Sequence, residues 1–136
     1  MRILFADTFY WVALINPRDD WYDRVFKVSS LLEQVQIVTT EEVLIEVLTF
    51  YAEAGIQMRQ RTIAFVDSIL SNATTQVIEQ SHESFLSGLK LYRQRLDKGY
   101  SLTDCISMNT MEEFNILEVL THDQHFVQEG FTVLFR

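Results

Sequence analysis

The chain has 136 residues, 48% of them apolar, with four glycines, one proline and one cysteine, and a formal charge of −8 at pH 7. That length suffices for one domain burying roughly two-thirds of the surface its unfolded chain would expose. The composition excludes a disordered or low-complexity chain, a disulfide-stapled one, and a broadly basic surface that would bind nucleic acid nonspecifically.

The lone Cys105 suits a reducing compartment, so a cytoplasmic protein is expected. No apolar run approaches the roughly 18 residues of a membrane span, and the run Ile3 to Ala6 is too short for a signal peptide. A soluble protein with no membrane contact is expected. So few glycines and prolines imply long regular elements joined by short loops. An excess of carboxylates also suits a site for hard divalent cations.

In chain order, Ile3 to Ala6 reads as a buried strand ending at Asp7, and Thr8 can cap a helix over Phe9 to Ile15. Asn16 to Asp20, with Pro17, forms a turn. Val25, Val28, Leu31, Leu32 and Val35 recur at helical spacing across about 21–34, and Gln36 to Val38 reads as a second strand. Thr39 and Glu42 have the spacing of a capping box, opening a helix through about Ala54 that Gly55 ends. A helix over about 57–70, a strand over 75–78 and a helix over about 81–97 follow. Ser101 opens another helix through about Phe114. Leu117 to Leu120 is a strand, about 123–128 a turn of helix, and Phe131 to Leu134 a last strand.

Alternating strands and helices, with near-continuous apolar strands, predict a single α/β domain over residues 1–136. Its central sheet is mostly parallel and covered on both faces, in a three-layer α/β/α arrangement. Ligands of such sheets bind beyond the carboxyl ends of the strands. Asp7 and Asp123 both sit at that end of their strands.

Glu46 shares its helical face with Val43, Val47 and Phe50, so it is exposed, protonated or neutralised by a cation. Glu41 and Glu42 are assigned to the positive end of their helix. Asp104 follows Ser101-Leu102-Thr103 and is either the acid of a capping box, a metal ligand presented at a helix N-terminus, or both. Asp123 is a turn residue or a ligand. His122 and His125 lack a third nitrogen or thiolate nearby, which makes a zinc site a weak reading, and they are taken as turn and surface residues. Four carboxylates brought together by a doubly wound fold would repel without a cation, and oxygen ligands suit Mg²⁺ or Mn²⁺. The chemistry implied is metal-assisted phosphodiester hydrolysis, which needs no side-chain nucleophile. No Gly-rich phosphate loop, Gly-x-Ser-x-Gly elbow or Cys/His pairing of recognisable spacing is present.

The segments "ILFADTFYWVALINPRDDWYDRV", "VTTEEVLIEVLTF" and "YSLTDCISMNTMEEFNILEVLTHDQHFVQEGFTVL" together resemble the PIN domain, in particular its VapC-type toxin ribonucleases. The last is the most specific, joining "SLTDC", "ILEVLTHDQHF" and "GFTVL". The resemblance implies Asp7, Glu46, Asp104 and Asp123 as catalytic metal ligands, with Thr121 an accessory polar group. It also implies Mg²⁺ or Mn²⁺ as cofactor, RNA as substrate, a homodimer, and an antitoxin that blocks the site. Trp21 or Tyr22 stands near a position where many relatives carry histidine, and Phe9 where a small residue is common, which bears on the shape of the substrate groove.

Two alternatives remain: a catalytically silent binding module of the same fold, and a nuclease of RNA processing without an antitoxin. RNA contacts could come from Arg93, Arg95 and Lys98 or from Arg59 and Arg61, the alternative being solvated helix faces. Phe50, Tyr51 and Phe65 are either a dimer or antitoxin surface or core.

Overall fold

The structure is a computed structural model describing all 136 residues. Five strands alternate with seven helices: β1 (Arg2–Ala6), α1 (Thr8–Ile15), α2 (Tyr22–Leu31), β2 (Val35–Thr40), α3 (Glu41–Phe50), α4 (Ile56–Ser71), β3 (Thr75–Ile78), α5 (His82–Gln94), α6 (Leu102–Glu113), β4 (Glu118–Leu120), α7 (His125–Gln128) and β5 (Thr132–Val133). The sheet has the order β3-β2-β1-β4-β5, and every neighbouring pair is parallel. The predicted three-layer α/β/α class is the one observed, with the sheet wholly parallel.

The core follows from the apolar strands. Leu4 and Phe5 of β1, Val38 of β2, and Val119 and Leu120 of β4 pack against Tyr10, Val25, Val43, Val47, Met108 and Phe126 from the helices. No helix is long and apolar enough to cross a membrane. Cys105 is fully buried, and burial above all, with Asp104 beside it, pushes its thiol up to about 11, so it is no nucleophile.

Chain order reverses between β1, whose next strand lies on one side, and β4, which lies on the other. Such a switch point opens a crevice at the carboxyl edge. Ala6 pairs with Leu120, so Asp7 and Thr121 leave the sheet side by side.

Several boundaries differ from the sequence reading. The capping box assigned to Thr39 and Glu42 is absent: β2 runs on through Thr40, whose side chain accepts from the Val43 N–H. Thr39 instead donates to the Ala6 carbonyl at 2.8 Å and accepts from Trp11 Nε1 at 3.3 Å. A buried carbonyl at a strand end needs such a partner. Thr8 is the first residue of its helix and not its cap; Asp7 holds the cap position without a side-chain cap bond. Helix α3 ends at Phe50, and Gly55, at φ 97°, stands before α4 rather than closing α3. Helix α5 stops at Gln94, and β5 has only two residues. Tyr51 belongs to the core, its hydroxyl donating to the Val12 carbonyl at 2.7 Å, whereas Phe50 is exposed and Phe65 packs edge-on against Trp11.

Helices α5 and α6 meet where Gly88 lets them approach: a Cβ there would lie 2.5 Å from Ile106 Cγ1. Gly88→Val is expected to destabilise the fold by about 1–3 kcal/mol through overpacking, and Ile106→Ala in the same chain to return part of that loss. Urea denaturation of the two variants and the parent measures both; equal midpoints for parent and Gly88→Val would refute the close contact.

Candidate functional site

The carboxyl edge at the switch point collects Asp7, Asp104 and Asp123, and α3 adds Glu46 beside them. Asp7 leaves β1 almost fully buried, at 6% exposure. Thr121, itself fully buried, donates to Asp7 Oδ2 at 2.9 Å. The Thr121 oxygen in turn accepts from the Asp123 N–H at 3.2 Å, so one hydroxyl orders the ends of β1 and β4 together. Thr8, the first residue of α1, donates to Glu46 Oε1 at 2.5 Å. The sequence reading offered Glu46 exposure, protonation or a cation; its half-buried side chain has found a hydroxyl partner on α1.

Asp104 is a helix cap in fact. Its Oδ2 accepts from the Ser101 N–H at 3.0 Å, and its own N–H donates to Ser101 Oγ at 3.0 Å. The reciprocal box fixes the carboxylate at the mouth of the crevice. Glu41 and Glu42 lie in the first turn of α3, and Glu41 also accepts from the Gln80 N–H at 2.7 Å, tying α3 to the start of α5.

Burial above all pushes the Asp7 carboxyl up to about 7; the Asp104 and Glu46 charges add to the rise, while Thr121 and the Thr8 N–H oppose it. Asp104 is raised as well, chiefly by burial and further by Asp123, against hydrogen bonds at Ser101 and the nearby His125. No lysine or arginine is ion-paired with any of the four acids.

Donor atoms of Asp104, Asp123 and His125 all lie within 4.8 Å of one another, whereas Asp7 and Glu46 stand outside that tight group. Asp7 is coupled to it electrostatically through Asp104. His125, taken from sequence as a surface residue, is thus part of the cluster. The signal that could have found it is the Asx turn, in which the His125 N–H donates to Asp123 Oδ1 at 2.9 Å and folds the imidazole back over the carboxylate. His122 faces away: its ring lies 4.5 Å from Trp21, and Nδ1 is 3.1 Å from the Phe135 carbonyl.

The basic residues are mostly engaged elsewhere. Arg95 grips Glu129 at 2.7 Å, Lys98 lies 3.7 Å from Asp97, Arg59 donates to the Ala52 carbonyl at 2.7 Å, and Arg61 donates to the Ile15 carbonyl. Trp21 packs edge-on against Phe9 at 5.2 Å, with the Arg24 guanidinium 4.5 Å above its ring.

Residues 4–131 match the model of the PIN domain family. Among solved structures the chain is similar to VapC20 of Mycobacterium tuberculosis, described as a sarcin-ricin loop cleaving toxin, with 20% identity, a TM-score of 0.84 and 96% of each chain covered. It is also similar to VapBC2 of Rickettsia felis bound to a DNA fragment from their promoter, with 17% identity, a TM-score of 0.65 and 96% of each chain covered. Comparison with curated proteins gives no match.

The Asp7 carboxyl has an ordinary value of 3.8 and sits at about 7 in the fold, so between those values the folded protein keeps a proton that the unfolded chain has released. The stability tied to this group is therefore present at low pH and is lost as the pH rises from about 4 to about 7. Asp7→Asn, which retains an acceptor for Thr121, is expected to melt about 5 °C or more above the parent near pH 7.5 in a chelator. The gap should close as the pH falls towards 4. Thermal melts across that range check it, and equal melting at the upper end would show that the buried charge is not a burden.

Proposed function

The chain belongs to the PIN domain family, and on that premise we propose that it is a divalent-metal-dependent endoribonuclease, the toxin of a VapBC-type toxin–antitoxin pair. The observation that carries this reading is the convergence of Asp7, Glu46, Asp104 and Asp123 from four separate segments with no lysine or arginine to neutralise them. The set fits a hard divalent ion: oxygen donors predominate, and Asp7 is raised by burial first and by the Asp104 and Glu46 charges besides. Asp7, Glu46, Asp104 and Asp123 are the residues assigned to hold Mg²⁺ or Mn²⁺ and to form the catalytic centre. When bound, such an ion supplies a water of lowered pKa and stabilises charge on the phosphate oxygens.

The chain's own part is positioning. Thr121, the accessory group, aims Asp7 and anchors the backbone of Asp123; Thr8 aims Glu46; the Ser101 box aims Asp104. Each carboxylate is thus held by a donor that leaves other lone pairs free to face the crevice. The phosphate backbone of RNA approaches an acidic protein here, so local contacts have to guide it. Arg93 is the member of the basic group on α5 and its following turn that fits this role, since Arg95 is bound to Glu129 and Lys98 lies against Asp97.

The same reading takes the protein as a single domain that acts in the cytoplasm. Ile45, Leu48 and Ile63 line an apolar groove of about 280 Å³ between α3 and α4, which supports partner contacts of the homodimer or antitoxin kind. The likeness to VapC20 makes ribosomal RNA bearing the sarcin-ricin loop the first substrate to try, with transfer RNAs beside it.

Asp104→Asn retains an acceptor for the Ser101 N–H, so the fold is expected to persist while cleavage with Mg²⁺ or Mn²⁺ drops at least roughly 100-fold, the scale on which losing a group that manages transition-state charge is felt. Gel analysis of the RNA panel, with a chelator lane and circular dichroism of the variant, checks this. Undiminished cleavage by a folded Asp104→Asn protein, or cleavage that survives chelation, would reject the metal nuclease.

A further inference from the structure

His125 differs in chemistry from the carboxylates around it. Its Nδ1 lies 3.3 Å from Asp123 Oδ1 and 3.7 Å from Asp104 Oδ2. That nitrogen is shut off from solvent, yet it has no hydrogen-bond partner. Buried ring nitrogens are normally satisfied, and one left without a partner among carboxylates needs a reason. The ring is held in place from behind. Tyr100 packs against it with centroids 5.3 Å apart, the Tyr100 hydroxyl donates to Glu129 Oε2 at 2.8 Å, and Arg95 clamps Glu129 with two nitrogens. Gly99 adjoins the outer face, where a Cβ would lie 3.9 Å from Nε2.

The geometry points to His125 Nδ1 as a direct ligand, with Asp104 and Asp123, of the divalent ion in the proposed nuclease site, a nitrogen donor that biases the site towards Mn²⁺ over Mg²⁺. This rests on the metal-nuclease reading and adds to it a ligand and a preference. Neighbouring donors on an octahedral ion with bonds of about 2.1 Å lie roughly 3 Å apart, and opposite ones roughly 4 Å. The two spacings around Nδ1 fall in that range. Imidazole suits first-row transition metals, whereas Mg²⁺ takes oxygen donors and retains its waters. A neutral ring that binds through Nδ1 carries its proton on Nε2, the side facing Gly99. Tyr100, Glu129 and Arg95 are then positioning residues that fix the orientation of the ring, as outer partners of metal-bound histidines do.

The test is electron spin-echo envelope modulation of the full chain loaded with Mn²⁺, which detects a coordinated imidazole nitrogen directly, with calorimetric titration of Mn²⁺ and Mg²⁺ beside it. The parent is expected to show imidazole nitrogen modulation, and His125→Ala to lose it although His82 and His122 remain. The Mn²⁺ dissociation constant should rise at least roughly tenfold in that variant, since changes to outer partners alone reach this scale, and the Mg²⁺ constant should rise less. The parent spectrum decides ligation even if the variant folds poorly. Mn²⁺ bound without nitrogen modulation, or modulation that persists in His125→Ala, overturns the inference and leaves the nuclease reading standing. A parent that binds no Mn²⁺ overturns both.

Discussion

Thr121 donates its hydroxyl hydrogen to Asp7 at the point where the parallel sheet reverses chain order, and the rest of the site is arranged around that bond. Two strands that are neighbours in space and far apart in sequence end side by side there, one followed directly by Asp7 and the other by a turn that carries Asp123. The same oxygen accepts from the Asp123 backbone, so the turn after β4 cannot drift from the end of β1 without breaking a buried hydrogen bond. A buried donor or acceptor left without its partner costs about 1–3 kcal/mol. Asp7 therefore sits at a strand end, Glu46 inside α3, Asp104 at a capped helix start, and Asp123 in a turn that is tied back to Thr121.

This arrangement is electrostatically unfavourable for the isolated chain. Asp7 is buried beside Asp104 and Glu46, and the fold offers it hydroxyl and amide donors where an ion pair would stabilise it better. The arginines that could have paired with these acids are used instead to tie Glu118 to β1, Glu129 to the turn after α5, and α4 to backbone carbonyls at the end of α1 and just after α3. Stability is thus spread over the periphery while the crevice retains an unmet demand for positive charge. Sites that bind a cation commonly give up folding stability in this way.

The segments that follow β1 and β4 also contribute to an aromatic group. Phe9 from α1, Trp21 ahead of α2, His122 after β4 and Phe135 near the C-terminus pack ring against ring, and Arg24 covers Trp21. These rings tie α1, the segment ahead of α2, the turn after β4 and the C-terminal segment to one another.

Much of this was readable from the residues alone. Short, near-continuous apolar runs gave the strands, helical spacing gave the helices, and Ser101 with Asp104 marked a cap by spacing, because each of these depends on neighbours within a few residues. The sequence therefore determined the α/β class and the four acids as a set to be explained. Long-range partners were not readable. Thr39 looked like a cap and became the partner of the Ala6 carbonyl; Thr8 looked like a cap and became the donor to Glu46; His125 looked like a surface residue and came to rest between two carboxylates. A hydroxyl or an imidazole is equally at home in a turn, a cap or a buried site, and its own neighbours in sequence do not decide which. Only the pairing of β1 with β4 and the packing of α1 on α3 decided it, since these alone set which polar atoms are shut away from water and must find one another.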